Sequence, residues 1–156
     1  MTARARIIGL GQAAAGDDGV GLAVIDLLRA DALPDGVELF VAADPSSLMP
    51  LLETSALVVV VDAVLARRGG PTPGDVLVLA PEDLALRGLR PVSTHGLGVA
   101  ESIALARALA PDGASKDVRV VAIGIARPTV HQHGLSARIA AAVPHAAARV
   151  LAIVGR

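Results

Sequence analysis

The sequence predicts an α/β fold: a three-layer sandwich in which a twisted, mostly parallel five-stranded sheet lies between helices on both faces. Three observations carry this. Short aliphatic runs recur along the chain, and they are too continuous in apolar residues for strands that show one side to water. Ala-rich segments with helical spacing separate them, giving the alternation of a parallel sheet with crossover helices. Finally, 156 residues with 53% apolar and 1% aromatic content can build an ample core, and build it from Ala, Val, Leu and Ile.

The elements follow in order. Residues 6–10 form the first strand, followed by the glycine loop 11–16 and a helix opened by Asp17 and Asp18, whose carboxylates can accept from free amides at a helix start. Val20, Val24, Leu27 and Leu28 supply its buried stripe. After the turn Pro34-Asp35-Gly36, residues 37–41 read as the second strand, and residues 48–52 as a short helix behind Pro45-Ser46-Ser47. Residues 56–61 are the clearest buried strand, ended by Asp62. The loop 69–74 is short enough that residues 75–79 return as a neighbouring antiparallel strand, and residues 81–86 give one turn of helix. A helical pattern runs over 98–109, and residues 118–125 form the final core strand. The last helix starts near Ser136, with Ile139, Val143, Val150 and Ile153 as its stripe; Pro144 is expected to kink it or to split off its first turns. Residues 1–156 are read as one domain.

Composition narrows function. With no Cys, thiolate metal sites and a Cys nucleophile are excluded. Fourteen basic against fifteen acidic side chains, without runs of like charge and without Trp or Tyr, leave neither an electrostatic footprint for nucleic acid nor a stacking platform. The aliphatic run 57–61 is far shorter than a bilayer span, and the apolar run 7–10 is too short for a signal-peptide core, so a cytoplasmic protein is expected.

In open α/β sheets the ligand site lies beyond the carboxyl ends of the strands. Three positions collect there: Asp17-Asp18 after the first loop, Asp62 after four consecutive valines, and His95 in Ser93-Thr94-His95-Gly96-Leu97-Gly98. Two carboxylates and an imidazole suit a borderline divalent metal such as nickel or zinc; the same trio can do acid and base work. Each residue also has a structural reading. Asp17 and Asp18 can cap the first helix, His95 can hold a loop, and Asp62 must leave the core or find a partner, because an unpaired buried charge is costly. His131 and His133 are read as exposed loop histidines, and His145 as a surface residue of the last helix. A rival is the dinucleotide fingerprint, since Gly9-Leu10-Gly11-Gln12-Ala13-Ala14 satisfies its glycine pattern and Asp44 ends the second strand. Two aspartates at the helix start would repel a pyrophosphate.

Taken together, Gly9-Leu10-Gly11-Gln12 with Gly16-Asp17-Asp18-Gly19-Val20-Gly21, then Val61-Asp62-Ala63, then Ser93-Thr94-His95-Gly96-Leu97-Gly98, closely resembles the hydrogenase maturation protease family. The likeness extends to Pro50-Leu51-Leu52, Gly134-Leu135-Ser136 and Pro144. The resemblance implies a cytoplasmic endopeptidase that removes a C-terminal extension from the large-subunit precursor of a nickel-iron hydrogenase after nickel insertion. It implies that Asp18, Asp62 and His95 contact the metal, with nickel recognised in the precursor and zinc or cadmium as substitutes in vitro. Asp17, or a freed Asp18 or Asp62, would act as base. The partner would be the precursor, met by a monomer, without nucleic acid or membrane. Gln12 stands where the family has Asn, and Ala42-Ala43-Asp44-Pro45-Ser46-Ser47 and Val130-His131 replace its usual loop residues. The alternatives are an NAD(P)-binding oxidoreductase and a non-enzymatic nickel-binding chaperone or regulator on the same fold.

Overall fold

The computed structural model describes residues 2–92, 96–128 and 133–155. Its five strands are β1 (Ala5–Leu10), β2 (Val37–Ala42), β3 (Leu57–Leu65), β4 (Val76–Leu79) and β5 (Val118–Ile125). They lie in the order β2-β1-β3-β5-β4, with β4 antiparallel to β5 and every other pairing parallel. Four α-helices cover the sheet: α1 (Val20–Arg29), α2 (Pro81–Leu86), α3 (Val99–Leu109) and α4 (Ala137–Val154).

Alternation along the central strands divides the apolar residues between two cores. Val59, Val61 and Ala63 of β3 join Ile7, Val121 and Ile123 under α1 and α4. Val58, Val60 and Val64 join Ile8, Val118 and Val120 under α2 and α3. Both sides of β3 are therefore dry, and each fully buried valine or isoleucine contributes roughly 1.5–3 kcal/mol of transfer free energy. The predicted three-layer sandwich is the observed one. By length and composition α4 could cross a membrane, but Ile139, Val143, Ala146, Val150 and Val154 are buried against the sheet and α1.

Several local expectations are corrected. Asp62 does not end its strand, because β3 runs on to Leu65, held by pairing with β5. Helix α1 does not open at Asp17 and Asp18: a 3-10 segment, Ala13–Gly19, intervenes, and the helix begins at Val20 with no side-chain cap. Its stripe uses Ile25 in place of Leu27, which is exposed, because 3.6-residue periodicity puts Val20, Val24, Ile25 and Leu28 on one face. Residues 48–52 are not a helix but belong to two 3-10 turns, Pro45–Leu48 and Pro50–Leu52, since Pro50 lacks the amide that a continuing helix needs. At the end of α4, Val154 is buried and Ile153 only partly so. Pro144 does not split α4, which is assigned as helix on both sides of it, with the proline on the exposed face.

Candidate active site

From β1 the chain crosses outward to β2, then returns past β1 to β3, so the order of strands reverses between β1 and β3. A crevice opens at the carboxyl ends of two strands related in this way, where consecutive crossovers leave to opposite sides. The last β1–β3 pair is Gly9 with Val61. Asp62 is the next residue, and its side chain follows Val58 and Val60 toward the face covered by α2 and α3. Beyond this point β3 keeps β5 on one flank and gains the segment before residue 93 on the other: Pro91 bridges Val64, and Leu65 N–H donates to the Arg90 carbonyl at 3.0 Å. That segment occupies the place β1 has vacated and brings Pro91 and Val92 to the crevice.

Glycines bring Asp18 to the same place. Gly11 has φ +138°, open to glycine at little cost, and a Cβ there would stand 2.1 Å from the Asp18 carbonyl oxygen. At Gly21, a Cβ would stand 2.5 Å from the Leu10 carbonyl oxygen and 2.6 Å from that of Val61, so only glycine lets the first turn of α1 lie on the ends of both strands. Gln12 N–H donates to Asp18 Oδ2 at 3.3 Å and orients the carboxylate. Asp18 and Asp62 then line one cleft of about 80 Å³, with Asp44, Pro91, Val92 and Leu97 among its walls. Asp62 and Pro91 also line an adjoining, mainly apolar cavity of about 210 Å³ under α2 and α3.

The electrostatics of the pair are unfavourable without a counter-charge. Asp62 is pushed up to about 8, first by loss of solvation and then by the negative charge of Asp18, against the opposing effect of Ala63 N–H, which donates to its Oδ1 at 2.8 Å. Asp18 is also raised, by burial, with the Gln12 amide pulling the other way. A cleft that raises two neighbouring carboxylates is suited to a cation or to proton transfer near neutral pH.

The other sequence candidates separate. Asp17, expected as an alternative base, is buried and spent elsewhere: Ser136 N–H donates to its Oδ1 at 2.7 Å and Ser136 Oγ–H to its Oδ2 at 2.9 Å. It ties the start of α4 to the first loop and caps no turn of α1. His95, with Ser93 and Thr94, lies outside the described residues, although Val92 and Leu97 on either side of them line the aspartate cleft. His131 is likewise outside; His133 and His145 are exposed. Among the described residues no group of three or more His, Asp or Glu could hold a metal ion.

Asp44, the acid at the end of the second strand and within the altered 42–47 loop, also lines the cleft. Its carboxylate accepts from Ser46 Oγ–H and from Ser47 N–H at 3.1 Å, bonds that hold it below the usual range. The Asp-Pro-Ser-Ser pattern is the signal for this cap. The dinucleotide reading fails on space: Gly9 and Gly11 are filled by the Gly21 and Asp18 carbonyls of the chain itself, where a pyrophosphate would need to approach.

Comparison with known proteins agrees with this fold. A family model described as hydrogenase maturation protease matches residues 23–153. No curated protein matches the chain by sequence. Among solved structures, the hydrogenase maturating endopeptidase HybD from E. coli superposes with a TM-score of 0.77 at 22% identity, covering 97% of this chain and 91% of that one. The [NiFe] hydrogenase maturation protease HybD from Thermococcus kodakarensis gives 0.75 at 21% identity, covering 97% and 99%. A hydrogenase 2 maturation peptidase from Thaumarchaeota archaeon SCGC_AB-539-E09 gives 0.60 at 25% identity, covering 97% and 98%. With the family model matching most of the chain, from within α1 through the Asp62 strand to α4, and with the fold shared along almost the whole chain, this protein belongs to the hydrogenase maturation protease family.

Proposed function

We propose that this endopeptidase removes the C-terminal extension of a nickel-iron hydrogenase large-subunit precursor after nickel insertion, with Asp18, Asp62 and His95 contacting the metal held by the precursor. The observation that carries the reading is the carboxylate pair at the switch point, each member raised by burial and Asp62 raised further by Asp18. An incomplete donor set of this kind binds a free ion weakly and completes the shell of an ion already anchored by precursor ligands. The nickel is thus part of the substrate.

The residues of this chain act in a sequence. Near neutral pH and without a cation, Asp62 retains a proton, because its pKa of about 8 exceeds the ambient pH. Arrival of a cation favours the ionised carboxylate, so metal-loaded precursor displaces that proton and seats the scissile bond. Nickel supplies Lewis-acid polarisation there. A carboxylate of the pair then takes the proton of the attacking water and returns one to the departing amine. Asp17 is held away from this role by Ser136. The reading includes a cytoplasmic monomer that meets its precursor transiently.

Intact mass spectrometry of nickel-loaded and nickel-free precursor after incubation with the protein tests this. The expected result is loss of a C-terminal peptide from the loaded form alone, abolished by His95→Ala. Equal cleavage of both forms would overturn the metal gate, and cleavage of neither would overturn the assignment of substrate.

A further inference from the structure

Asp62, Ala122 and Leu77 stand level across three adjacent strands, since Ala122 of β5 pairs with both. Residues level across a sheet share a face, and two strand spacings set Leu77 about 10 Å from Asp62. Hollows follow one another along this face. The apolar cavity shares Asp62 with the aspartate cleft, and a wider hollow of about 530 Å³, which contains Leu77, shares Leu89 with the apolar cavity. Three hollows therefore adjoin along this face, from the carboxylate pair outward.

Its far end is basic. Arg67 and Arg87 line the wide hollow, and Arg68 and Arg90 are exposed beside them in the chain. None of the four forms an ion pair among the described residues. Of the acids nearby, Glu82 pairs with Arg107 at 3.4 Å, while Asp75, inside the hollow, accepts Thr72 N–H at 2.8 Å and Asp83 accepts Ala80 N–H at 3.4 Å. Arg67 is also held in place, by donation to the Arg87 carbonyl and by packing on Gly70 and Gly88, where a Cβ would come within 2.7 and 2.9 Å of its side chain. A guanidinium held against two glycines and free of any ion pair among the described residues keeps donors for an external anion, and the two arginines outnumber the one carboxylate of the hollow, Asp75.

We propose that this arginine-lined hollow receives an acidic side chain of the precursor's C-terminal extension, about three residues past the scissile bond; the inference rests on the processing function proposed above. The spacing follows from geometry, because an extended chain covers about 10 Å in three residues. The choice of segment follows from shape. The folded, nickel-bearing part of the precursor covers the aspartate cleft, and only a flexible segment can follow the narrow course beyond it. Partly exposed pairs of this kind are individually weak but set register and orientation, so they discriminate between extensions.

The test uses the full chain and fluorescein-labelled peptides spanning the scissile bond, with either Glu or Lys at the third to fifth positions after it, titrated by anisotropy. The expected outcome is about tenfold tighter binding of the Glu peptide, weakening with salt and lost in the double variant Arg67→Gln/Arg87→Gln. Equal binding of the two peptides, or a preference that survives in the double variant, overturns the proposal. Nickel-loaded precursors carrying the same substitutions are expected to differ about tenfold in KM with kcat unchanged. Absence of cleavage in every precursor, with the Glu preference intact, overturns the processing function and leaves the arginine hollow standing; cleavage without any preference does the reverse.

Discussion

The two faces of the sheet differ in what they do with carboxylates, and adjacent residues of one loop show the difference. On the face of α1 and α4, Asp17 is buried and gives both oxygens to Ser136, so that its charge is fully spent on joining the first loop to the last helix. On the face of α2 and α3, Asp18 and Asp62 share a cleft with one backbone amide each among the described residues, and both are raised. A satisfied carboxylate stabilises a structure; an under-satisfied pair costs stability and is ready to bind a cation or exchange a proton. Packing differs in the same sense. The first face is closed by α1 seated directly on β1 and β3 through Gly21, whereas the second carries the adjoining hollows.

The comparison breaks most readily at Asp62. Asp62→Asn should lower processing of nickel-loaded precursor about thousandfold, read by mass spectrometry of timed samples, while the variant folds. Retention of near-normal rates would remove Asp62 from the reacting site. Next in size is Gly21→Ala, whose new Cβ meets two backbone carbonyls that cannot move aside. It should destabilise the fold by about 3 kcal/mol or more, measured from urea denaturation, and a loss within error of zero would mean that α1 is not seated as described.

A third test sharpens the contrast through pH. The folded pKa of Asp62, about 8, lies above its ordinary 3.8, so between these values the folded state holds a proton that the unfolded state has released. Stability from this group is therefore highest at the acidic end of the window and falls as pH rises toward 8, by on the order of a few kcal/mol. Denaturation midpoints taken from pH 5 to pH 8.5 should decline for the wild type and decline less for Asp62→Asn; parallel curves would show that Asp62 is not buried in the protonated form. Smaller still is Asp17→Ala, expected to cost about 1–3 kcal/mol by leaving Ser136 without its acceptor, with activity per folded molecule unchanged. A selective loss of activity would bring Asp17 back into the chemistry.

Much of this was legible in the chain. Alternating aliphatic runs and Ala-rich segments specified the sheet and its layers because burial on both faces demands continuous apolar strands, a local requirement written in composition. The motifs around Asp18 and Asp62 pointed to the cleft that the two residues line, because polar residues following such strands have few other uses. Even β4 was legible, since the short loop 69–74 favours an antiparallel return; that it pairs with β5 and not β3 is a long-range matter.

What only the tertiary structure decided follows from contacts distant in sequence. Asp17 and Asp18 are indistinguishable as letters, and their division rests on Ser136, 119 residues away. The end of β3 was misplaced at Asp62 because a carboxylate after valines reads as the exit from a core; pairing with β5 on one side and with Pro91 on the other carries the strand on to Leu65. Ile25 rather than Leu27 joins the stripe of α1 because Gly9 on β1 leaves room for its side chain, a Cβ there standing 2.5 Å from Ile25 Cγ1. The sequence by itself determined the layers and the donor types; the crossing of β3 past β1 decided which donors meet, because only that topology puts two carboxylates at one switch point.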